Sequence, residues 1–167
     1  TAAHNALEID GTDQCDMCSR FRMGCRGRPT ALQYGRKDEA QWCRAAHNAY
    51  RRLGVDRVDR WLVALPEGPW ICVDRAQGRA VHRLRCRLSL HPEIEVQPIG
   101  ADRFELIVGR RRARLQFLAP GDVQLTTGWY CPRFGQRIET AVLQWSAEVS
   151  LPFACGWAFY WCRPACD

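Results

Sequence analysis

The segment Ala80–Leu90, with the sequence AVHRLRCRLSL, decides the fold. From Arg83 onward, apolar side chains occupy every second position, and arginine or serine stands between them. Successive side chains of a β-strand point to opposite faces, so this pattern predicts a strand with one buried and one solvated face. His82 has the parity of the apolar positions, which predicts that it also points inward. The apolar positions are Leu84, Cys86, Leu88 and Leu90.

The same alternation recurs along the chain and predicts an antiparallel β-structure. It is clear in Arg112–Leu118 and in residues 103–108. Turn sequences rich in Gly, Pro and Asp separate the candidate strands, and Asp38–Leu53 has no apolar stripe, so it is predicted as strand plus loop. The sequence therefore predicts an all-β fold, an antiparallel multi-stranded β-sandwich of two packed sheets with roughly a dozen short strands, in one domain over residues 1–167. The other candidates are Asn5–Asp10, Arg20–Cys25, Gln41–His47, Arg57–Leu65, Trp70–Arg75, Glu93–Gln97, Val123–Thr127, Ala141–Val149 and Phe153–Trp161.

The composition is that of a folded, basic protein. The 167 residues include 24 Lys+Arg and 18 Asp+Glu, a formal net charge of +6. Arginine favours anionic partners, and charge alone leaves nucleic acid, acidic polysaccharide and anionic lipid open. Arginines 83, 85 and 87 and arginines 112 and 114 share the outer faces of predicted strands. They are interpreted either as a polyanion-binding surface or as solvated faces neutralised by Glu93, Glu95 and Glu105.

The ten cysteines allow several interpretations. The pairs Cys15-x-x-Cys18 and Cys162-x-x-x-Cys166 could supply four thiolates to a zinc ion if the two ends of the chain meet. An oxidising compartment would instead pair some of them as disulfides. Cys72 lies in an apolar strand pattern, as Cys86 does, and both are predicted to be small buried side chains.

Several sequence blocks resemble one known family. The opening Ala3-His4-Asn5-Ala6-Leu7-Glu8-Ile9-Asp10-Gly11 resembles the A-H-N-T-hydrophobic-x-hydrophobic-D-G motif of the heparinase II/III-like polysaccharide lyases, with Ala6 where the family has Thr. Later blocks follow in family order over nearly the whole chain. They are Phe21-Arg22-Met23-Gly24, His47-Asn48-Ala49-Tyr50-Arg51-Arg52-Leu53-Gly54, Trp70-Ile71-Cys72-Val73-Asp74-Arg75, Arg114-Leu115-Gln116-Phe117-Leu118 and Gly128-Trp129-Tyr130-Cys131-Pro132-Arg133-Phe134-Gly135.

The resemblance implies the C-terminal β-sandwich of a longer lyase in which an α-helical toroid precedes Thr1. Such enzymes cleave uronic-acid-containing polysaccharides, such as heparin, heparan sulfate or alginate, by β-elimination. A base removes the proton on C5, the carboxylate charge is neutralised, and an acid protonates the leaving oxygen on C4. The expected partners are therefore an acidic polysaccharide and the toroid, without nucleic acid or a membrane span. We expect a periplasmic or secreted parent enzyme and an isolated chain that is inactive.

The resemblance also implies roles for individual residues, although it assigns no catalytic residue. His4 matches the family histidine that is associated with a metal, usually taken as zinc, whose companion histidine and aspartate would lie upstream of Thr1. Asn5, Tyr50, Arg51 and Arg133 are expected to contact substrate, although Tyr50 could equally be a packing aromatic.

Two other classes of function remain open at this point. One is a non-catalytic carbohydrate-binding or structural sandwich with Trp129, Trp145 or Trp157 and the arginines facing sugar. The other is a cysteine-ligated zinc module that contacts protein or nucleic acid.

Overall fold

The computed structural model describes residues 1, 3–19 and 22–162. In this part of the chain there are fourteen strands and one short 3₁₀ helix, Arg51–Leu53, and every strand pairing is antiparallel. The strands are β1 (Leu7–Ile9), β2 (Cys15–Ser19), β3 (Arg22–Arg26), β4 (Pro29–Lys37), β5 (Ala40–His47), β6 (Val55–Ala64), β7 (Trp70–Gly78), β8 (Val81–Ser89), β9 (Glu95–Pro98), β10 (Arg103–Val108), β11 (Arg111–Phe117), β12 (Asp122–Tyr130), β13 (Ile138–Ser150) and β14 (Phe153–Trp161).

The strands form a large sheet, a small sheet and a separate hairpin. The large sheet has eight strands in the order β4-β5-β6-β7-β14-β11-β10-β9, and the small sheet has four in the order β1-β8-β13-β12. Strands β2 and β3 pair with each other. The chain passes repeatedly between the large and the small sheet, so each of these two sheets contains strands from both halves of the sequence.

The core lies between the two sheets and is built from the alternating apolar positions. Leu84, Leu143 and Trp145 of the small sheet belong to the same buried cluster as Leu115 and Phe117 of the large sheet. Burial of apolar side chains from two facing sheets is what stabilises a sandwich. The predicted antiparallel β-sandwich is confirmed.

The inward orientation predicted for three polar or reactive side chains is also confirmed. His82 is 7% exposed, and its Nδ1 lies 2.7 Å from a carboxylate oxygen of Asp10. Cys72 and Cys86 are 1% and 2% exposed. Burial raises the pKa of both thiols to about 12, so they remain protonated at neutral pH.

Two strands, β2 and β4, were not expected from the sequence. Strand β4 is an edge of the large sheet, and its Leu32 and Tyr34 are 75% and 83% exposed. The strand begins at Pro29, which lacks an amide donor and is tolerated at strand ends and edges. Asp38–Leu53 is confirmed as strand plus loop, because β5 ends at His47 and the 3₁₀ helix follows.

The arginines on the outer faces of the strands are paired only in part with the acids that the sequence suggested. Arginines 83, 85 and 87 lie on β8 of the small sheet, whereas Arg112 and Arg114 lie on β11 of the large sheet, so the two groups belong to different sheets. Arg112 pairs with Glu105 at 2.6 Å, as predicted. Arg85 and Arg87 instead bind the two carboxylate oxygens of the buried Glu8, at 2.9 and 2.6 Å.

On the large sheet, a second buried carboxylate, that of Asp59, binds two arginines. Asp59 of β6 is 1% exposed, and its Oδ1 accepts hydrogen bonds from Arg44 and Arg57. Its Oδ2 accepts one from Gln77 at 3.0 Å. Burial alone would raise the pKa of Asp59, but the hydrogen bonds and charges of the two arginines outweigh it and hold the pKa below 3.8.

Within the residues described, no helix has the length and apolar character needed to cross a membrane.

Candidate functional site

The amino-terminal motif is anchored to the small sheet by Asn5. The side-chain oxygen of Asn5 accepts a hydrogen bond from the amide of Ser89 at 2.8 Å. Just beyond it, β1 pairs with β8, so that Leu7 lies opposite Cys86 and Ile9 opposite Leu84. The side chain that was expected to contact substrate therefore already binds the end of a neighbouring strand.

A buried ion pair holds the same segment against the large sheet. The guanidinium of Arg60 binds both carboxylate oxygens of Asp74, at 2.7 and 2.6 Å, and it also donates to the backbone carbonyl of Asn5. Asp74 is 2% exposed. A two-pronged pair between a buried carboxylate and a partly buried guanidinium is directional, and it helps to fix where the chain enters β1.

The His47–Gly54 block packs against this segment through Tyr50. Tyr50 is fully buried, and its hydroxyl donates to the carbonyl of Leu7 at 3.1 Å. Burial raises the pKa of the phenol to about 12. This placement favours the packing role of Tyr50 over a place at the edge of a substrate groove, because the ring presents no surface to a ligand.

A groove of about 450 Å³ opens beside the anchored segment. Its walls are mostly apolar, and its polar side chains include His47, Arg60 and Asp74. Burial lowers the pKa of His47, and its Nδ1 accepts a hydrogen bond from the amide of Ala49 at 3.2 Å, so the ring is neutral near pH 7. The groove thus combines apolar walls with a few fixed polar groups, as ligand-binding clefts do. Other lining residues are Ala6, Leu7, Leu32, Ala45 and Val58.

The remaining predicted substrate residues lie apart from this groove. Arg51 is exposed on the 3₁₀ helix, whose last turn closes on Gly54 in the left-handed conformation. Arg133 is exposed on the loop between β12 and β13, and β12 is the edge of the small sheet opposite β1. The structure therefore brings Asn5 and Tyr50 to the same segment and leaves Arg133 on a separate loop.

His4 is exposed at the start of the motif. Zinc in proteins takes at least three protein ligands. Among the described residues, no three His, Cys, Asp or Glu side chains converge on a metal-sized site. The donor set described here does not by itself fit a zinc ion, and no chemical step is derived through one.

The sequence reasoning missed Arg60 and Asp74, the charged pair beside the groove. Both residues occupy positions at which the strand alternation calls for an apolar side chain. Arg60 lies between Val58 and Leu62 on the same face of its strand, and Asp74 lies between Cys72 and Ala76 on the same face of the next strand. A charge at an inward-facing position of a predicted strand is rare unless it is paired. That break in the alternation was the signal that could have identified them.

The structure also places the tryptophans of the alternative carbohydrate-binding module and the cysteines of the alternative zinc module. Trp129 is 55% exposed, with the Arg137 guanidinium 4.3 Å from its ring centroid. Trp145 is 1% exposed in the core, which corrects the expectation that it faces sugar, and Trp157 is half-buried. Cys15, Cys18 and Cys162 are free thiols, while Cys166, the fourth member of the suggested zinc set, lies outside the described residues.

Comparison with known proteins gives one family and a consistent set of folds. The family model "Heparinase II/III-like, C-terminal" matches residues 1–158. No curated protein matches the sequence. Among solved structures, heparan sulfate lyase HepC from Pedobacter heparinus superposes with a TM-score of 0.73 at 11% identity, covering 98% of this chain and 25% of that one.

Two further solved structures show the same fold. The heparinase III BT4657 gene product gives a TM-score of 0.72 at 14% identity, over 95% of this chain and 24% of its own. Heparinase III gives 0.69 at 10% identity, over 93% and 23%. The chain thus spans about a quarter of the length of the solved proteins it matches.

Proposed function

Because the chain belongs to the heparinase II/III-like family, in its C-terminal region, we propose that it is the C-terminal β-sandwich of a polysaccharide lyase. The proposed substrate class is an acidic, uronic-acid-containing polysaccharide such as heparin, heparan sulfate or alginate, cleaved by β-elimination. The observation that carries the proposal is the family match over residues 1–158. The proposed location is the periplasm or the cell exterior, where such polymers are found.

In this proposal the sandwich supplies a wall of the cleft and does not complete a catalytic centre. The support comes from the groove beside the amino-terminal motif. The position of that motif is fixed by Asn5 and by the Arg60–Asp74 pair. The groups that remove and return the proton would come from an α-helical toroid domain that precedes this sequence in the parent enzyme. The isolated chain is therefore proposed to be inactive.

A metal role for His4 belongs to the same proposal and rests on the motif alone. A neutral imidazole is an ordinary zinc ligand, and the remaining ligands would have to come from residues outside this sequence. Zinc content can be measured for the isolated chain and for the longer polypeptide, each with and without His4→Ala. We expect stoichiometric zinc only in the longer polypeptide with His4 intact. Stoichiometric zinc in the isolated chain that is lost on substituting His4 would contradict a site shared with upstream residues.

The lyase assay tests the main proposal. Heparin, heparan sulfate and alginate are incubated with the isolated chain and with the polypeptide of the longer reading frame that contains it, and the unsaturated uronate product is followed by its ultraviolet absorbance. We expect product from the longer polypeptide and none from the isolated chain. The proposal fails if the longer polypeptide releases no unsaturated product from any of the three polymers.

A non-catalytic carbohydrate-binding module is the second candidate, and the exposed Trp129 beside Arg137 favours it. An exposed indole with a guanidinium next to it is a surface on which a sugar ring can stack while an anionic substituent is bound. Saccharide binding that is lost with Trp129→Ala, together with the absence of any product from the longer polypeptide, would favour this candidate.

A further inference from the structure

Four arginines from two separate segments meet around one small pocket. Arg26 is the last residue of β3 and Arg28 lies in the connection from β3 to β4, whereas Arg51 and Arg52 belong to the 3₁₀ helix. Together with Asn48 and Ala49 they line a pocket of about 270 Å³, here called the arginine pocket. We propose that the arginine pocket binds a sulfate or carboxylate group of an acidic polysaccharide. This inference rests on the proposed function, because it names a binding site for the same class of substrate.

The arginine pocket is held together by backbone contacts between the two segments. The side-chain oxygen of Asn48 accepts a hydrogen bond from the amide of Arg28 at 2.8 Å, and the amide of Asn48 donates to the carbonyl of Arg28 at 3.2 Å. Gly27 allows this close approach, because a Cβ at position 27 would lie 2.6 Å from the Cα of Ala49. The positions from which the four arginines extend are therefore set by the fold.

One of the four guanidinium groups is already neutralised. Arg52 binds the Asp16 carboxylate at 3.0 Å and the carbonyl of Asp13 at 2.7 Å. Arg26, Arg28 and Arg51 make no ion pair with any carboxylate in the described part of the chain. The arginine pocket consequently concentrates positive charge that no carboxylate among residues 3–19 and 22–162 compensates through an ion pair.

The arginines of this pocket differ from the arginines near the core. Near the core, arginines lie within 3 Å of an acid that accepts their hydrogen bonds. Those arginines have a structural function, and their donors are already in use. They are Arg44, Arg57, Arg60, Arg85 and Arg87. In the arginine pocket, by contrast, Arg26, Arg28 and Arg51 have no carboxylate partner within the described part of the chain.

The chemistry of the guanidinium group defines the ligand class. Its planar set of N–H donors matches the paired oxygens of a carboxylate or a sulfate, and several guanidiniums around one concavity favour a group that carries full negative charge. Uronate carboxylates and sugar sulfates have these properties. A nucleic-acid phosphate offers similar oxygens, so the test includes it as a competing ligand.

Calorimetric titration of the full 167-residue chain tests the proposal. The probes are a heparin hexasaccharide, an alginate hexasaccharide, neutral cellohexaose and a short single-stranded DNA. The double variant Arg28→Gln/Arg51→Gln removes two of the uncompensated charges. Arg110→Gln/Arg111→Gln is the matched control, because it removes two exposed charges at the turn between β10 and β11.

We expect the wild-type chain to bind at least one acidic oligosaccharide more tightly than cellohexaose and DNA. The pocket variant should lose about tenfold or more in affinity, and the control variant less than about twofold. A third variant, Gly27→Ala, keeps every charge but separates the two segments, and it should also weaken binding. Far-UV circular dichroism checks that each variant remains folded.

Several results would overturn the inference. They are equal losses in the pocket and control variants, tighter binding of DNA than of either acidic oligosaccharide, or the absence of acidic oligosaccharide binding by the wild-type chain. Because the titration measures binding without turnover, a failure of the lyase proposal is recognised separately, by the missing unsaturated product in the assay of the longer polypeptide.

Discussion

Removing the charge of Asp74 should loosen the amino-terminal motif from the rest of the sandwich. In Asp74→Asn, the side chain keeps its size and loses the negative charge that compensates Arg60. The guanidinium of Arg60 would then face an amide that can accept only one of its two hydrogen bonds. Arg60 also donates to the carbonyl of Asn5, so the disturbance reaches the segment that leads into β1.

The size of the effect follows from burial. The Asp74 side chain is 3% exposed and that of Arg60 is 30% exposed. Removing one partner of a buried ion pair costs about 3–5 kcal/mol, and because Arg60 keeps some contact with water we expect the lower end, about 3 kcal/mol. Removing both charges in Arg60→Met/Asp74→Leu leaves no uncompensated charge, and the carbonyl of the exposed Asn5, which loses its donor, can bind water instead. That double variant should therefore lie within about 1 kcal/mol of the wild type.

Urea unfolding followed by tryptophan fluorescence gives these free energies. Hydrogen exchange then tests the location, since the amides of β1 should lose more protection in Asp74→Asn than the amides of the central strands. The reasoning is refuted if Asp74→Asn costs less than about 1 kcal/mol, or if the double variant is as unstable as the single one.

Three further predictions concern single side chains. Tyr50→Phe should lower the free energy of unfolding by about 1.5 kcal/mol, because the carbonyl of Leu7 loses its donor, and should leave oligosaccharide affinity unchanged; a loss of affinity in a folded variant would restore the substrate role of Tyr50. The pKa of Asp59 is lowered by folding, so its stabilising contribution is complete above pH 3.8 and is lost as the pH falls below that value. Asp59→Asn should therefore flatten the acid limb of a plot of urea midpoint against pH, and an unchanged slope would contradict this. Iodoacetamide should alkylate the exposed thiols of the native protein and spare the buried ones until urea unfolds it, with mass spectrometry as the measurement. The exposed thiols are Cys18 and Cys131, and the buried ones are Cys72, Cys86 and Cys155.

The period-two alternation predicted the fold class and the central strands because it reflects burial directly. In β8 and β11 one face is apolar and the other carries arginine, so the sequence specifies which side is buried. Strand β4 lacks this contrast, since its edge position leaves Leu32 and Tyr34 exposed on the face where a central strand would bury them. Edge strands of this kind depend on pairing with their neighbour more than on their own pattern.

The candidate site was only partly predictable, because its contacts join distant parts of the chain. The motif identified Asn5, but not that its side chain would bind the amide of Ser89, 84 residues later. The arginine pocket depends on the approach of Gly27 to Ala49, which no local pattern indicates. The composition showed an excess of arginine. It did not show which guanidinium groups form ion pairs with buried acids and which are free to bind an anionic ligand.

The order of the large sheet has a consequence for how the protein is made. Among the strands of residues 1–162 that the structure describes, β14 comes last in sequence, yet it lies in the middle of the large sheet between β7 and β11. Until residues 153–161 have left the ribosome, the β4–β7 half and the β9–β11 half each have an unpaired inner edge, and such edges recruit strands from other chains. Completion of the large sheet is therefore a late step, in which the central strand is inserted after both of its neighbours exist. Truncations before Phe153 should accumulate as aggregates or as strand-exchanged dimers.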